Sequence, residues 1–313
     1  MTRNTIAAGL IGILAGTASA ETIGVSMALF DDNFLTVLRN GMIAHAQGLE
    51  GVDLQVEDAQ NDVGRQLNQI ENFIAAGVDA IIVNPVDTSA TQAMTDAAAA
   101  AGVPLVFVNR MPINLESLPD NQAFVGSNER DSGTLQGTEV CRLLREQGTD
   151  PARVILIMGE LSNEAAITRS QMIRDTVARE DCAFMEIVEE QTGNWNRQQG
   201  ADLMTNWLGA GVEFDAVVSN NDEMAIGAIQ SLKAAGISMD DVIVAGIDAT
   251  QDALAAMQAG DLDVTVFQDA AGQGAGAVDT ALALARGEEV AREVWIPFEL
   301  VTPENIDGYL TRN

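Results

Sequence analysis

The sequence predicts an α/β fold of two similar lobes, each a parallel sheet with covering helices. Three observations predict it. The segment from Gln60 to Asn109 has a counterpart from Trp195 to Asp248, and each reads as amphipathic helix, Gly-rich turn, short apolar strand, Ala-rich helix and second strand. Strand and helix patterns alternate to about Arg286, which is the order that builds parallel sheets with helical crossovers. The length of 313 residues exceeds what one hydrophobic core usually serves.

The elements follow in order. A short basic start, the apolar run IAAGLIGILAGTA and the small residues Ala18, Ser19 and Ala20 form an export signal over residues 1–20, with cleavage expected before Glu21. That run is too short to span a bilayer. TIGVSMALF is a buried strand, and Asp31, Asp32 and Asn33 after it can cap the helix FLTVLRNGMIAHAQGL. VDLQVED is the next strand, and the first copy of the duplicated unit follows, with strands ending at Asn84 and Asn109. MPINLESLPDNQA carries two prolines and no helical period, so it reads as the loop that ends one lobe. AFVGS then opens the second lobe, followed by helix GTLQGTEVCRLLRE and strand VILIMG. The second copy ends its strands at Asn220/Asn221 and Asp248, and VTVFQ, ending at Gln268, closes that lobe's sheet. Helix GAGAVDTALALARG and one last extended segment, EVWIPFELV, complete the chain. The lobes are therefore expected at 21–123 plus 269–293 and at 124–268 plus 294–313. No low-complexity linker separates them, so the crossings should be short and hinge-like.

Composition excludes several functions. Against 16 Lys and Arg stand 46 Asp and Glu, a net charge of −30; a nucleic-acid backbone would be repelled. The single lysine, Lys233, has no Gly-rich loop before it, so no P-loop exists. The single histidine, His45, lies mid-helix, where packing or solvation is the simpler role. A Ser-His-Asp triad would have to use it, and no GxSxG elbow is present. Zinc ligands of the usual His/Cys type are lacking, and neither a metal nor a cofactor is expected. LFDDNF stands where a dinucleotide-binding enzyme needs its glycines. Cys141 and Cys182 are the only cysteines, and one disulfide or two buried thiols fit equally well.

Polar and aromatic residues collect at the strand ends of both lobes: Asp32, Asn33, Phe34, Asn109, Arg110, Glu160, Asn163, Asn194, Trp195, Asn221, Asp222, Asp248, Gln268 and Asp269, with Arg169 one to two turns into a helix. Carboxylates accept from hydroxyls, amides donate and accept, and Arg offers a fixed fork of donors, a mixture suited to a polyhydroxylated ligand. Ligands bind at the carboxyl ends of strands in open parallel sheets. Each residue also has a plainer role: Asp32 or Asn33 as a helix cap, Arg169 with Asp222 as a structural ion pair, Trp195 as core.

IGVSMALFDDNFLTVLRNGM, GVDAIIVNPVD, VPLVFVNRMP, VVSNNDEMAIGAIQSLKAAG and VAGIDATQDALAAMQAGDLDVTVFQD together resemble the periplasmic sugar-binding proteins of bacterial ABC transporters, of the ribose/galactose-type (type I) class. The resemblance covers essentially all of the chain after the signal. It implies two Rossmann-like lobes, three hinge crossings, closure on a ligand, and contacts from Asp32, Phe34, Asn109, Arg110, Arg169, Trp195, Asn221, Asp248 and Gln268, with Phe34 and Trp195 on either face of a ring. Galactose- and glucose-binding members have His and Asp ahead of the arginine where this chain has Asn163 and Ala165, and their calcium loop is absent. Asn109-Arg110 and the NEAA-x-x-R pattern are similar to inositol-, rhizopine- and ribose-type members, which points to a cyclic polyol such as myo-inositol. The implied protein is a monomer, not an enzyme, found in the periplasm, and it delivers a sugar or cyclitol to an inner-membrane permease. A chemoreceptor or sensor partner and an exported α/β enzyme are the alternatives. The sensing half of a repressor shares the fold but carries a basic DNA-binding segment where this chain has its export signal.

Overall fold

The computed structural model of the protein describes residues 20–312; of the expected signal segment over 1–20, all but Ala20 lies outside the described residues. In chain order the strands are β1 (Glu21–Met27), β2 (Val52–Asp58), β3 (Ala80–Val83), β4 (Leu105–Val108), β5 (Gln122–Gly126), β6 (Ala152–Met158), β7 (Met185–Thr192), β8 (Ala216–Ser219), β9 (Ile243–Ala245), β10 (Thr265–Phe267), β11 (Glu293–Trp295) and β12 (Glu299–Val301). The helices are α1 (Asn33–Gln47), α2 (Val63–Ala76), α3 (Thr91–Ala101), α4 (Glu129–Gln147), α5 (Glu164–Val177), α6 (Arg197–Ala210), α7 (Asp222–Ala234), α8 (Gln251–Gln258) and α9 (Ala270–Ala285).

The first sheet has the order β11-β5-β4-β3-β1-β2, and every pairing in it is parallel. The second runs β7-β6-β8-β9, also parallel. It continues through single bridges, Ala245 to Val264 and Asp248 to Phe267, toward the antiparallel pair β10-β12. Strands β3, β4 and β8 are buried at every position, as parallel strands covered on both faces must be. β2 alternates half-buried and exposed residues because it is an edge. Ile23, Val25 and Val106 pack on one face of the first sheet, and Ile81, Leu105 and Phe107 on the other.

The duplicated unit occupies the same place in each lobe. α2, β3, α3 and β4 in the first correspond to α6, β8, α7 and β9 in the second. α2 and α6 start under the side-chain caps Asp62 and Asn196 and stop at Gly77 and Gly211, whose φ values of 75° and 73° a side chain would resist. In both sheets the order reverses beside the first strand, at β1/β3 and at β6/β8. A crevice opens at such a switch point.

Strand pairing corrects the expected boundaries. The loop 111–121 does not end the first lobe, because it leads into β5, which pairs with β4 from Leu105↔Gln122 to Val108↔Val125. The chain crosses to the second lobe only at Ser127-Asn128. EVWIPFELV is likewise not one segment. Glu293–Trp295 pairs with β5 and Ile296 N–H donates to Gly126 O (2.8 Å), whereas Glu299–Val301 pairs with β10. Pro297 between them has no N–H to continue a ladder, and Phe298 packs with Ile247 and Val266 of the second lobe. The third passage lies at Gln268-Asp269, where Asp269 caps α9 and α9 returns to pack on the first sheet.

Cys141 and Cys182 form a disulfide, joining α4 to the turn after α5. His45 Nε2 sits 2.7 Å from Asp279 Oδ1, a surface pairing of α1 with α9. The disulfide closes a loop of 41 residues of sequence separation. Reduction, or the pair Cys141→Ser/Cys182→Ser, is expected to cost about 3 kcal/mol. Differential scanning calorimetry with and without reductant should therefore show a Tm lower by several degrees, and equal Tm values would contradict it.

Candidate functional site

The carboxyl ends of the two sheets face each other across one cavity, with about 420 Å³ of empty space including its mouth. Asp32, Phe34, Asn109, Arg110, Arg169, Trp195, Asn221, Asp248 and Gln268 all line it. All nine residues expected from the sequence stand on this one cavity. The sequence misses Glu129, which lines the same cavity with Leu35, Asn163 and Ala165.

The first lobe supplies Asp32, Phe34, Asn109 and Arg110. Asp32 caps α1, its Oδ1 accepting from Leu35 N–H at 2.8 Å. Crowding by protein atoms raises its pKa, against the pull of that amide and of Arg110. Asn109 adopts φ 65°, a conformation asparagine tolerates better than most residues. Its amide is fixed by Asn84 Nδ2, which donates to Oδ1 (3.2 Å), and by its own donation to Gln273 Oε1 (3.2 Å). Arg110 is 8% exposed and donates to Pro85 O (2.9 Å) and Val86 O (3.3 Å). Buried Gln66 holds that turn by donating to Asn84 O and accepting from Val86 N–H. Burial lowers the Arg110 pKa, and the charges of Glu160 and Asp32 oppose it.

The second lobe is organised by Arg169, which is 4% exposed. Its Nε and Nη2 donate to the two oxygens of Glu129 at 2.6 and 3.0 Å, Nη1 to Asn220 O at 2.8 Å, and Nη2 to Gln268 Oε1 at 3.3 Å. Asp248 Oδ1 lies 3.9 Å from Nη1. Burial alone would lower the Arg169 pKa, but the charge and hydrogen bonds of Glu129, then Asp248, raise it. The structural ion pair considered for Arg169 and Asp222 does not form. Arg169 pairs with Glu129, and Asp222 accepts from Thr250 N–H (3.0 Å) and Thr265 Oγ1–H (2.8 Å).

Trp195 is neither core nor simply exposed. Its backbone has φ 62°, its ring lies against Gly159, and a Cβ there would meet the indole at 2.2 Å. Its Nε1–H is buried with no hydrogen-bond partner among the described residues, and so is Asn163 Oδ1. One is a donor and the other an acceptor. Asn221 caps α7, accepting from Met224 N–H at 3.0 Å, and donates to Trp195 O at 3.2 Å.

Asn33, Glu160, Asn194, Asp222 and Asp269 end strands without lining the cavity. Three of the contacts that close the lobes over its rim are Asn33 Nδ2 to Glu223 Oε1 (3.1 Å), Asn61 Nδ2 to Glu160 Oε1 (2.9 Å) and Thr88 N–H to Ser162 O (3.2 Å).

Residues 23–289 match the protein family described as periplasmic binding protein domain. A Rhizobium meliloti protein provisionally named as rhizopine-binding is 62% identical over 309 residues, covering 97% of this chain and 99% of its own. The structure of an ABC transporter solute-binding protein from Bacillus halodurans C-125 with bound myo-inositol is 44% identical, with a TM-score of 0.88 over 95% of this chain and 100% of that one. The Caulobacter myo-inositol-binding protein bound to myo-inositol is 26% identical, with a TM-score of 0.81 over 94% and 97% of the two chains.

Two buried acids give the site a pH signature. Burial raises the Asp222 pKa to about 6 despite its hydrogen bonds. Burial and the neighbouring Asp222 raise that of Asp248 well above the carboxylate range, with Arg169 opposing. Unfolded carboxyls ionise near 3.9, so between about pH 4 and pH 6 the native state holds protons that the unfolded state has lost. Stability must fall as pH rises through that window. The ligand-free protein should melt lower at about pH 7.5 than at about pH 5, and Asp222→Asn should flatten the difference. A profile unchanged in Asp222→Asn would contradict the assignment.

Proposed function

The chain belongs to the periplasmic binding protein family, and from that membership we propose that it captures a cyclic polyol of the myo-inositol or rhizopine type in the interlobe cleft and delivers it to an ABC transporter permease. Ribose and hexoses are the competing ligands of the same class. The observation that carries the reading is the pair of buried, unpartnered polar atoms on cavity residues, Trp195 Nε1 and Asn163 Oδ1. A hydroxyl both donates and accepts, so a polyol satisfies each. Around that pair the nine residues take complementary roles. Arg110, Arg169, Asn109, Asn221 and Gln268 offer donors, Asp32 and Asp248 bind hydroxyls as carboxyl groups, and Phe34 and Trp195 cover the apolar faces of the ring. The family is one of solute receptors, and the work assigned to the chain is differential affinity for the closed state, with no catalytic step and no cofactor.

The finer features belong to the same proposal. The lobes comprise residues 21–126 with 270–295 and residues 128–268 with 298–312, moving about the three passages as hinges. The protein acts as a monomer in the periplasm, after removal of residues 1–20. The intact mass of protein recovered from the periplasm should correspond to a chain starting at Glu21, and a retained N-terminus would overturn the cleavage site.

A thermal-shift panel of myo-inositol, xylitol, ribose, galactose and glucose tests the ligand. With an affinity of about 8 kcal/mol, millimolar ligand should stabilise the protein by about 4 kcal/mol. Asp248→Ala should abolish the shift while leaving the ligand-free Tm unchanged or higher, since it removes a buried acid from the cleft. No shift with any polyol would sink the reading.

A further inference from the structure

At the rim, the Glu160 carboxylate reaches both lobes and a cavity wall. Oε1 accepts from Asn61 Nδ2 of the first lobe at 2.9 Å, and Oε2 accepts from Asn163 Nδ2 of its own lobe at 3.0 Å. Asn61 is rigidly presented. It has φ 56° after Gln60 at φ 53°, and its N–H donates to Ala28 O at 2.8 Å, while Ala59 N–H donates to Met27 O at 2.8 Å. Asn163 is 0% exposed. An ionised carboxylate only accepts, so Glu160 decides which way the Asn163 amide faces. The amide nitrogen must point to Glu160, and the oxygen is left buried without a partner among the described residues.

The other rim contacts lack this connection. Glu223, which meets Asn33, is engaged by Arg197 and does not line the cavity. Ser162 meets Thr88 through its backbone carbonyl, which no side-chain rotation can reorient.

We propose that Glu160 is a positioning residue that couples occupancy of the cavity to lobe closure through Asn163 on one side and Asn61 on the other. A ligand hydroxyl donating to Asn163 Oδ1 completes a chain from ligand to Asn163, to Glu160, to Asn61 across the cleft. Accepting at Oδ1 polarises the Asn163 amide and strengthens its donation to Glu160, and that bond fixes the carboxylate where Asn61 meets it. The same geometry sets specificity: the ligand atom facing Asn163 must carry an O–H or N–H, and an ether oxygen there leaves the acceptor unmet. The choice of a hydroxyl rests on the function proposed above; the latch between Glu160 and Asn61 does not.

The test uses the full chain with its disulfide intact and myo-inositol as probe. Dissociation is followed by stopped-flow tryptophan fluorescence in wild type, Glu160→Ala, Asn61→Ala and the double variant. Each single variant should release ligand about tenfold faster, and the double variant no faster than Glu160→Ala. Glu160→Gln, which keeps an acceptor at only one of the two oxygen positions and turns an NH2 toward the other asparagine, should fall between wild type and Glu160→Ala. Independent, multiplicative effects of Glu160→Ala and Asn61→Ala, or unchanged release in either, would overturn the coupling. Spin labels at exposed Gln92 and Gln171, one on each lobe, give a readout that needs no ligand. A short-distance population in the empty wild-type protein should shrink in Glu160→Ala and Asn61→Ala alike. Its absence from wild type, or its persistence in both variants, would overturn the latch. If wild type binds no polyol while the variants lose the short distance, the ligand reading fails and the latch stands.

Discussion

The second lobe depends on the buried contact between Arg169 and Glu129. Two charges removed from water cost several kcal/mol each, and only close, doubly hydrogen-bonded geometry offsets that cost. Both residues are about 5% exposed or less and meet through two bonds of 3.0 Å or shorter. The guanidinium also reaches Asn220 O and Gln268 Oε1, with the rings of Trp195 and Phe298 at 5.7 and 5.8 Å. Five parts of the fold thereby converge on one side chain: α4, the end of β8, the end of β10, the turn before α6 and the start of β12. Removing either partner would strand a charge in a dry place, so the wall of the cavity and the stability of the lobe rest on the same bond.

Most of the cavity lining was legible because it obeys a simple placement rule. In parallel sheets with one switch point, side chains just past the strand ends meet, and Asp32, Arg110, Asn221, Asp248 and Gln268 all stand there. Glu129 breaks the rule. It sits in the first turn of α4, where a glutamate ordinarily favours the helix dipole and faces water, so nothing local marked it as buried. The boundary errors have a related cause. β5 is a short apolar strand whose partners are decided by a sheet edge far away in sequence, and EVWIPFELV carries one continuous pattern although Pro297 divides it between two sheets.

The duplicated unit combines a repeated geometry with unlike chemistry at its two second strand ends. Asn84 and Asn220 follow β3 and β8, and each accepts an amide from the end of the neighbouring first strand, Ala28 N–H at 3.4 Å and Gly159 N–H at 3.0 Å. Both are fully buried and serve as staples at the switch points. The residues at the second strand ends differ. Asn109 with Arg110 faces one wall and Asp248 the other. A common scaffold thus carries unlike walls, which is what a ligand with distinguishable faces requires.

The discontinuity of the first lobe has a consequence for the chain as it is being made. Its sheet is completed by β11 at Glu293–Trp295, and α9, ending at Ala285, covers β3, β4 and β5. Until nearly the last ribosomal step, those strands lack their lid and their outer edge. Residues 21–126 on their own leave apolar surface uncovered and one sheet edge unpaired, so the first half of the chain carries only part of the information for its own lobe.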